Sequence, residues 1–312
     1  MILPAAYALV DWGTTNLRVW LTGHAGQVLA AKTTADGMGT LARDQFAGVL
    51  ENILTGLDAA PELPVMICGM AGSRQGWREA PYASTPVALT NLAAQSVAFQ
   101  SYNRLVRILP GIARKNASRP DVMRGEETQL LGLSVSKDIH TGLACLPGTH
   151  SKWVKLEDGA VSDFVSVMTG ELYALLRQHS ILRHSTGGNA KVSATDPLFL
   201  EHVQIGLSKE GGLGRLFSIR AATLLNNADA AQSSAALSGL LIGTEIRDAS
   251  AVLGAESGEI HIIGSGSLGL LYQAALSVAG FNPHIQDGSA LVRAGLSSAA
   301  NHHLNTSIRA AE

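Results

Sequence analysis

Three features of the sequence predict an α/β protein built from two related halves. Strand-like runs come first and alternate with helix-like runs later, the order expected of mixed sheets covered by helices. A Gly-Thr hairpin near the N-terminus, Asp11-Trp12-Gly13-Thr14-Thr15-Asn16 leading into Arg18-Val19-Trp20, is echoed at Leu146-Pro147-Gly148-Thr149-His150-Ser151-Lys152-Trp153-Val154-Lys155. Between the two copies, Leu109-Pro110-Gly111 carries a Pro-Gly break. Residues 1–109 and 110–312 are therefore expected to be the two domains.

Taken in order, Tyr7–Val10 is a short apolar run, and Leu17, Val19 and Leu21 alternate after the turn, so both read as strands. Further strands are expected at Gln27–Lys32, Val65–Cys68, Val106–Leu109, Leu143–Leu146, Trp153–Glu157 and Glu259–Ile263. Apolar residues recurring at three and four predict helices over Gln45–Leu57, Leu89–Phe99, Glu126–Val135, Gly170–Gln178, Ser218–Asn226, Ala235–Arg247, Leu268–Ala279 and Ser289–Ala299.

The composition excludes several function classes. The chain has 312 residues, 46% of them hydrophobic and 15% charged, with 33 glycines and a formal net charge of −2. Nothing in that balance favours nucleic acid or an anionic membrane surface. No apolar stretch reaches about 18 residues, and the N-terminus lacks a basic signal-peptide region, so a cytoplasmic protein is expected. Cys68 and Cys145 lie inside apolar runs and read as core residues of a reducing compartment rather than a disulfide or metal site. His302-His303, His179 and His184 lack metal-ligand spacing.

The hairpins carry chemistry. A tight turn of this composition aims backbone N–H groups and hydroxyls at an anion, and Gly13 allows close backbone approach. Asp11 beside such a turn suits Mg²⁺ next to phosphates. The competing reading is a surface hairpin with Asp and Thr as ordinary turn formers. Gly264-Ser265-Gly266-Ser267-Leu268-Gly269 fits a dinucleotide fingerprint, but it lies late in the chain without a following βαβ unit, which excludes that reading.

Together the segments Val10–Arg18, Cys68-Gly69-Met70-Ala71-Gly72-Ser73-Arg74-Gln75-Gly76-Trp77, Asp121–Gln129, Leu146–Trp153, Met168–Leu172 and Leu237–Gly243 resemble sugar kinases of the actin/Hsp70/hexokinase superfamily. More specifically, the chain resembles the 2-dehydro-3-deoxygalactonokinase family, in matching order over most of its length. The resemblance implies a two-domain actin-like/ribonuclease H-like ATPase fold with a nucleotide cleft between domains. The first domain would bind the sugar acid and carry the first phosphate hairpin; the second would carry the second hairpin and the adenosine site. It implies ATP and Mg²⁺ as cofactors. It also implies transfer of the γ-phosphoryl group to the 6-hydroxyl of 2-dehydro-3-deoxy-D-galactonate, in galactonate catabolism, with the domains closing over both substrates.

Phosphoryl transfer needs positioned phosphates, a neutralising metal and a proton acceptor. Asp11 is the expected metal ligand, and Gly13, Thr14, Thr15 and Asn16 the first phosphate contacts. Gly148, Thr149, His150 and Ser151 form the second set, with Lys152 either adding charge or pointing outward. Glu126 and Glu127 are the base candidates. Glu127 precedes Gly148 by 21 positions and Glu126 by 22, close to the spacing at which related carbohydrate kinases carry Asp. Glu126 is favoured because it follows Gly125 directly, while helix-dipole capping accounts for at least one of the pair. A keto acid calls for a bidentate cation. Arg74 is the first candidate and Arg124 the second, with Gly72, Ser73, Gln75 and Trp77 as neighbours; Gly37-Met38-Gly39 and Thr169-Gly170-Glu171 could border the pocket. Gly264, Ser265 and Gly266 are expected to lie against the adenosine, and Ala235–Arg247 resembles the helix spanning the two domains.

The expected partner is thus a small keto-deoxy sugar acid, with no nucleic acid and no membrane; a homodimer is admissible. The alternatives are a kinase for another sugar or sugar acid, and an acceptor-independent ATPase of the same superfamily. A DNA-binding regulator would need a helix-turn-helix, for which residues before Tyr7 leave no room.

Overall fold

A computed structural model describes residues 5–188 and 191–309. The chain divides into two compact units: Met1–Thr141 with Glu157–Ser162 and Gly288–Glu312, and Gly142–Leu156 with Asp163–Asp287. This differs from the division expected at Pro110. The strand after the Pro-Gly pair goes on pairing within the first unit, so the break is a turn inside a domain.

The first unit begins with β1 (Tyr7–Trp12), β2 (Leu17–Thr22) and β3 (Val28–Thr34), followed by α1 (Phe46–Gly56) and β4 (Val65–Gly69). Then come β5 (Ala83–Ser84), β6 (Val87–Ala88), β7 (Val97–Ser101), β8 (Arg104–Ile108), β9 (Ile112–Arg114), β10 (Asp121–Met123) and α2 (Glu126–Lys137). The main sheet has the order β3-β2-β1-β4-β8-β7. β1 to β3 are an antiparallel meander, whereas β4 runs parallel to β1 and β8 parallel to β4. All five residues of β4 are buried, as a strand covered on both faces requires. One core gathers Val10, Trp12, Val19, Phe46, Ile67 and Ile108. The expected helix over Leu89–Phe99 is corrected. Only Leu89–Leu92 is helical, as one 3-10 turn, and Val97–Ser101 is β7, antiparallel to β8. Tertiary pairing overrides the apolar spacing there.

The second unit holds β11 (Gly142–Leu146), β12 (Ser151–Glu157), the later part of β13 (Ala160–Val167), α3 (Thr169–His179), α4 (Pro197–Leu207), α5 (Leu216–Asn226), α6 (Ala230–Leu253), β14 (Gly258–Ile263), α7 (Gly266–Val278) and β15 (Phe281–Gln286). Its strands follow the order β15-β14-β11-β12-β13. β11 pairs antiparallel with β12 and parallel with β14, which is parallel to β15. That order repeats β8-β4-β1-β2-β3 strand for strand, so the duplication read in the hairpins extends to sheet topology. Helix α6 is longer than expected because Asp229 and Gln232 form a reciprocal capping box two turns upstream of Ala235. Its small residues allow close packing: a Cβ on Gly239 or Gly243 would collide with the backbone of α4. Cys68 and Cys145 are both buried free thiols, in line with the core reading.

The last helix, α8 (Gly288–Arg309), belongs to the first unit and packs along α2. Gly132 of α2 lies against Leu291, and Gly295 of α8 against Thr128, each so closely that a Cβ would collide with a carbonyl oxygen. Among the described residues, no helix is long and apolar enough to cross a membrane.

The Gly132 contact sets two effects against each other. Glycine to alanine in a helix interior gains about 1 kcal/mol of propensity. Overpacking against backbone that cannot swing away costs about 1–3 kcal/mol. Gly132→Ala is therefore expected to lower unfolding stability by up to about 2 kcal/mol in urea titration; a rise in midpoint would show that α8 yields.

Candidate active site

In the first unit, candidate residues gather where β1 and β4 end, the carboxyl edge at which sheet-bound sites form. Asp11 is register-paired with Arg18 on one side and Cys68 on the other. Its Oδ2 accepts from Arg18 Nη1 at 2.9 Å, and Cys68 Sγ lies 3.9 Å from Oδ1. Burial raises the Asp11 pKa, and the Arg18 charge and hydrogen bond oppose that shift.

The hairpin turn is tight: Gly13 N–H donates to Asn16 O at 2.9 Å. Thr14, Thr15 and Asn16 are exposed at its tip. Gly37-Met38-Gly39 forms the seat of this turn, with Met38 N–H donating to Gly13 O and Gly39 N–H to Thr14 O, each at 2.9 Å. Gly69, at φ +88°, ends β4, and a Cβ there would stand 2.6 Å from Trp12 O. Only glycine suits both that backbone conformation and that approach.

Helix α2 starts against this point, since a Cβ on Gly125 would lie 3.6 Å from Gly69 Cα. Its two opening carboxylates have different settings. Glu126 is half-buried and accepts the Arg124 backbone N–H at 2.9 Å. Glu127 is 0% exposed. It accepts from Gly125 N–H at 2.6 Å and from Thr128 Oγ1 at 2.9 Å. Burial, and then the charge of Glu126, push its pKa up to about 7, against the smaller pull of those hydrogen bonds.

The two arginines separate as well. Arg74 is exposed, and its carbonyl accepts from Arg43 Nη2 at 2.5 Å. Gln75 is exposed too, and Trp77 packs against Trp12, Phe46 and Phe99 in the aromatic part of the core. Arg124 instead lies over Tyr82, 4.4 Å from its ring centroid, and donates from Nη2 to Ala80 O at 2.6 Å. Its Nε and Nη1 are buried without a hydrogen-bond partner, as is Ser73 Oγ. Gly72 makes room for this guanidinium: a Cβ there would stand 2.7 Å from Nη1.

In the second unit, Gly148 and Thr149 lead into β12, and the turn rests on the start of α3. Glu171 N–H donates to Thr149 O at 3.0 Å, and a Cβ on Gly170 would collide with Gly148 O. His150 Nε2 lies 2.5 Å from Glu171 Oε2. Ser151 is buried, and Lys152 is turned inward, donating to Ser166 Oγ at 2.5 Å. Beside the turn is a cavity of about 240 Å³ whose lining includes Gly148, Tyr173, Ser238, Leu241, Leu268 and Leu271. Gly264, Ser265 and Gly266 form the connection from β14 into α7, immediately before the lining residues Ser267 and Leu268. Mostly apolar walls with a few hydroxyls, and with Arg177 and Lys191 at the lining, suit a flat heteroaromatic ring and its sugar.

Sequence reasoning missed Tyr173, Ser238 and Leu241. Ser238, Leu241 and Ile242 recur at three and four along α6, so one helix face could have been singled out.

Glu127 ties stability to pH. Its folded pKa, about 7 against 4.5 for a free glutamate, means that the folded state holds a proton more tightly. Its contribution is full below the unfolded pKa and is lost as pH rises through the folded one, a swing of about 3 kcal/mol. Relative to the parent chain, Glu127→Gln is thus expected to gain about that much stability between pH 4 and pH 8 in urea titrations. A pH-independent difference would mean an ordinary carboxylate.

A family model described as 2-keto-3-deoxy-galactonokinase matches residues 11–299. The chain is 45% identical over 301 residues to a Rhizobium meliloti (strain 1021) protein described as a probable 2-dehydro-3-deoxygalactonokinase, covering 96% of this chain and 98% of that one. It is 33% identical over 299 residues to the Escherichia coli (strain K12) 2-dehydro-3-deoxygalactonokinase, covering 96% and 99%. A Sinorhizobium meliloti crystal structure carrying the same enzyme description superposes with a TM-score of 0.90 at 44% identity, over 95% of this chain and 99% of that one. At 12% identity, the Clostridium difficile activator of 2-hydroxyisocaproyl-CoA dehydratase shares the fold, with a TM-score of 0.52 over 97% of each chain. With the family model spanning most of the chain, and relatives aligned end to end, the protein belongs to the 2-keto-3-deoxy-galactonokinase family.

Proposed function

We propose that this kinase transfers the γ-phosphoryl group of ATP to the 6-hydroxyl of 2-dehydro-3-deoxy-D-galactonate. The observation that carries the substrate reading is the buried guanidinium of Arg124. Two of its nitrogens and the nearby Ser73 hydroxyl have no hydrogen-bond partner. Buried donors left unpaired are costly, and a planar carboxylate is the group that a guanidinium fork satisfies best. Arg124, with Ser73, is the proposed anchor for the acid, in place of the exposed Arg74. A neutral sugar would leave that anchor unused.

Glu127 is the proposed base. A pKa near 7 places it where it can accept the proton of an attacking hydroxyl at neutral pH. Glu126 contributes the charge that helps to hold it there. The tip of the first hairpin, Thr14 to Asn16, offers donors to the transferred phosphate, and the second hairpin offers Gly148, Thr149 and His150. The cavity beside the second hairpin takes the adenosine.

The residues fit a divalent ion, with Mg²⁺ proposed. Among the described residues, no group of three His, Cys, Asp or Glu side chains could hold a metal alone. Asp11 offers Oδ1, which meets Cys68 Sγ in a weak contact at 3.9 Å. One carboxylate completed by nucleotide phosphates and water is how Mg²⁺ usually binds. Bound there, the ion would neutralise phosphate charge; Asp11 would orient it, and Arg18 would orient Asp11.

A coupled ADP-release assay with Mg·ATP against 2-dehydro-3-deoxygalactonate, its gluconate epimer, galactonate and neutral hexoses tests this reading. Turnover confined to the keto-deoxy acids is expected. Turnover of neutral hexoses would discard the carboxylate argument, and acceptor-independent hydrolysis would discard the kinase reading. Arg124→Ala should raise KM for the acid about 10- to 100-fold while leaving KM for ATP within about twofold. Arg74→Ala should leave both KM values within about twofold of the parent. The parent kcat/KM should fall with unit slope below pH about 7. Glu127→Gln should lose about 10²–10⁴ in kcat. Glu126→Gln should keep turnover and move the acid limb to lower pH. The reverse pattern would make Glu126 the base.

A further inference from the structure

The second unit holds a buried carboxylate that the reaction outlined above does not use. Glu245, on α6, is 1% exposed. Its Oε1 accepts from Trp153 Nε1 and its Oε2 from Tyr272 Oη, each at 2.7 Å. The side chains of Thr169 and Ser151 also favour its charged form. Ser151 and Tyr272 are in turn joined at 2.9 Å. Four side chains from three separate elements thus converge on one carboxylate.

Those elements are the ones that build the cavity. Ser151 and Trp153 belong to β12, directly after the Gly148-Thr149 turn. Thr169 opens α3, on which that turn rests. Tyr272 comes from α7, and both Tyr272 and Thr169 line the cavity. Stability alone gives no reason to keep a carboxylate here, because replacing buried charged groups with apolar side chains of similar volume is often neutral or stabilising. The chemistry of the partners explains the choice. Trp153 Nε1 can only donate, and an ionised carboxylate is the side chain that offers acceptors alone to several converging donors.

We propose that Glu245 is a positioning residue for the nucleotide. It locks the second Gly-Thr turn, the start of α3 and Tyr272 into one rigid wall, and does not touch the nucleotide itself. The inference rests on the reading that this cavity takes the adenosine of ATP.

The test uses the full chain with ADP as probe, in isothermal titration, alongside KM values for ATP and for the acid and a thermal melt. Glu245→Gln keeps the side-chain shape but turns an amide N–H₂ towards donors. ADP affinity is expected to fall about tenfold, with KM for the acid within about twofold of the parent. Tyr272→Phe keeps the ring and removes one link, and should weaken ADP about threefold. A folded Glu245→Gln with a lower melting temperature and unchanged ADP affinity would reduce Glu245 to a packing residue and overturn the proposal. Should that variant not fold, unchanged ADP affinity in Tyr272→Phe overturns it equally. Ser238→Trp, which fills the cavity, separates the two readings. Unchanged ADP affinity there would remove the nucleotide from this cavity and both readings with it. Affinity lost there but retained in Glu245→Gln would overturn the positioning role alone.

Discussion

A carboxylate buried among neutral donors is the interaction on which both halves of this molecule turn. Glu127 in the first unit and Glu245 in the second are both essentially inaccessible to solvent. Each is held by N–H and O–H groups rather than by an ion pair. Removing a charge from water is costly unless donors converge on it. The residues that satisfy each carboxylate therefore cannot drift apart without exposing an unpaired group. At Glu127 this ties the first turn of α2 to its own N-terminus. At Glu245 it ties a hairpin to two helices. In both, burial lifts the proton affinity and the donors pull it back.

Around those points the two units repeat one plan: an antiparallel three-strand meander whose first strand also pairs in parallel with a later one. The plan places a Gly-Thr turn after the first strand each time, and each turn is seated on glycine. Gly37 lies under the first and Gly170 under the second, where any Cβ would strike the turn's own backbone. The copies diverge in the cation that follows. Arg18 reaches back to the carboxylate of its own hairpin, whereas Lys152 is directed to Ser166. The first unit is thereby left with an oriented carboxylate, and the second with a turn beside a mostly apolar cavity.

Much of this was legible in the residues. The Gly-Thr turns, the strands on either side and the helix start at Glu126 follow from local spacing, and local spacing is what the chain obeys there. The Leu89–Phe99 segment was misleading, because its apolar residues fit a helix while β8 offers Val97–Ser101 a partner that no local pattern contains. Likewise Pro110-Gly111 resembles a linker, yet Ile112 to Arg114 are held by pairing with β10 and β5. The two arginines singled out as substrate candidates could not be ranked from the sequence. Arg74 and Arg124 are equal as residue types, and only the fold places one in solvent and the other over Tyr82. Glu245 was invisible for a related reason: one acidic residue in a helix of small side chains gains meaning only from the side chains that three other elements bring to it.

The proton affinity of Glu127 is the most direct test of the account, and it can be measured without any substrate. Carboxyl ¹³C chemical shifts of a glutamate-labelled full chain, followed against pH beside the same sample of Glu127→Gln, would report it. The account predicts one glutamate titrating near pH 7 in the parent and absent from the variant. If every glutamate titrates in the ordinary carboxylate range, burial does not tune this site and the assignment of its base falls.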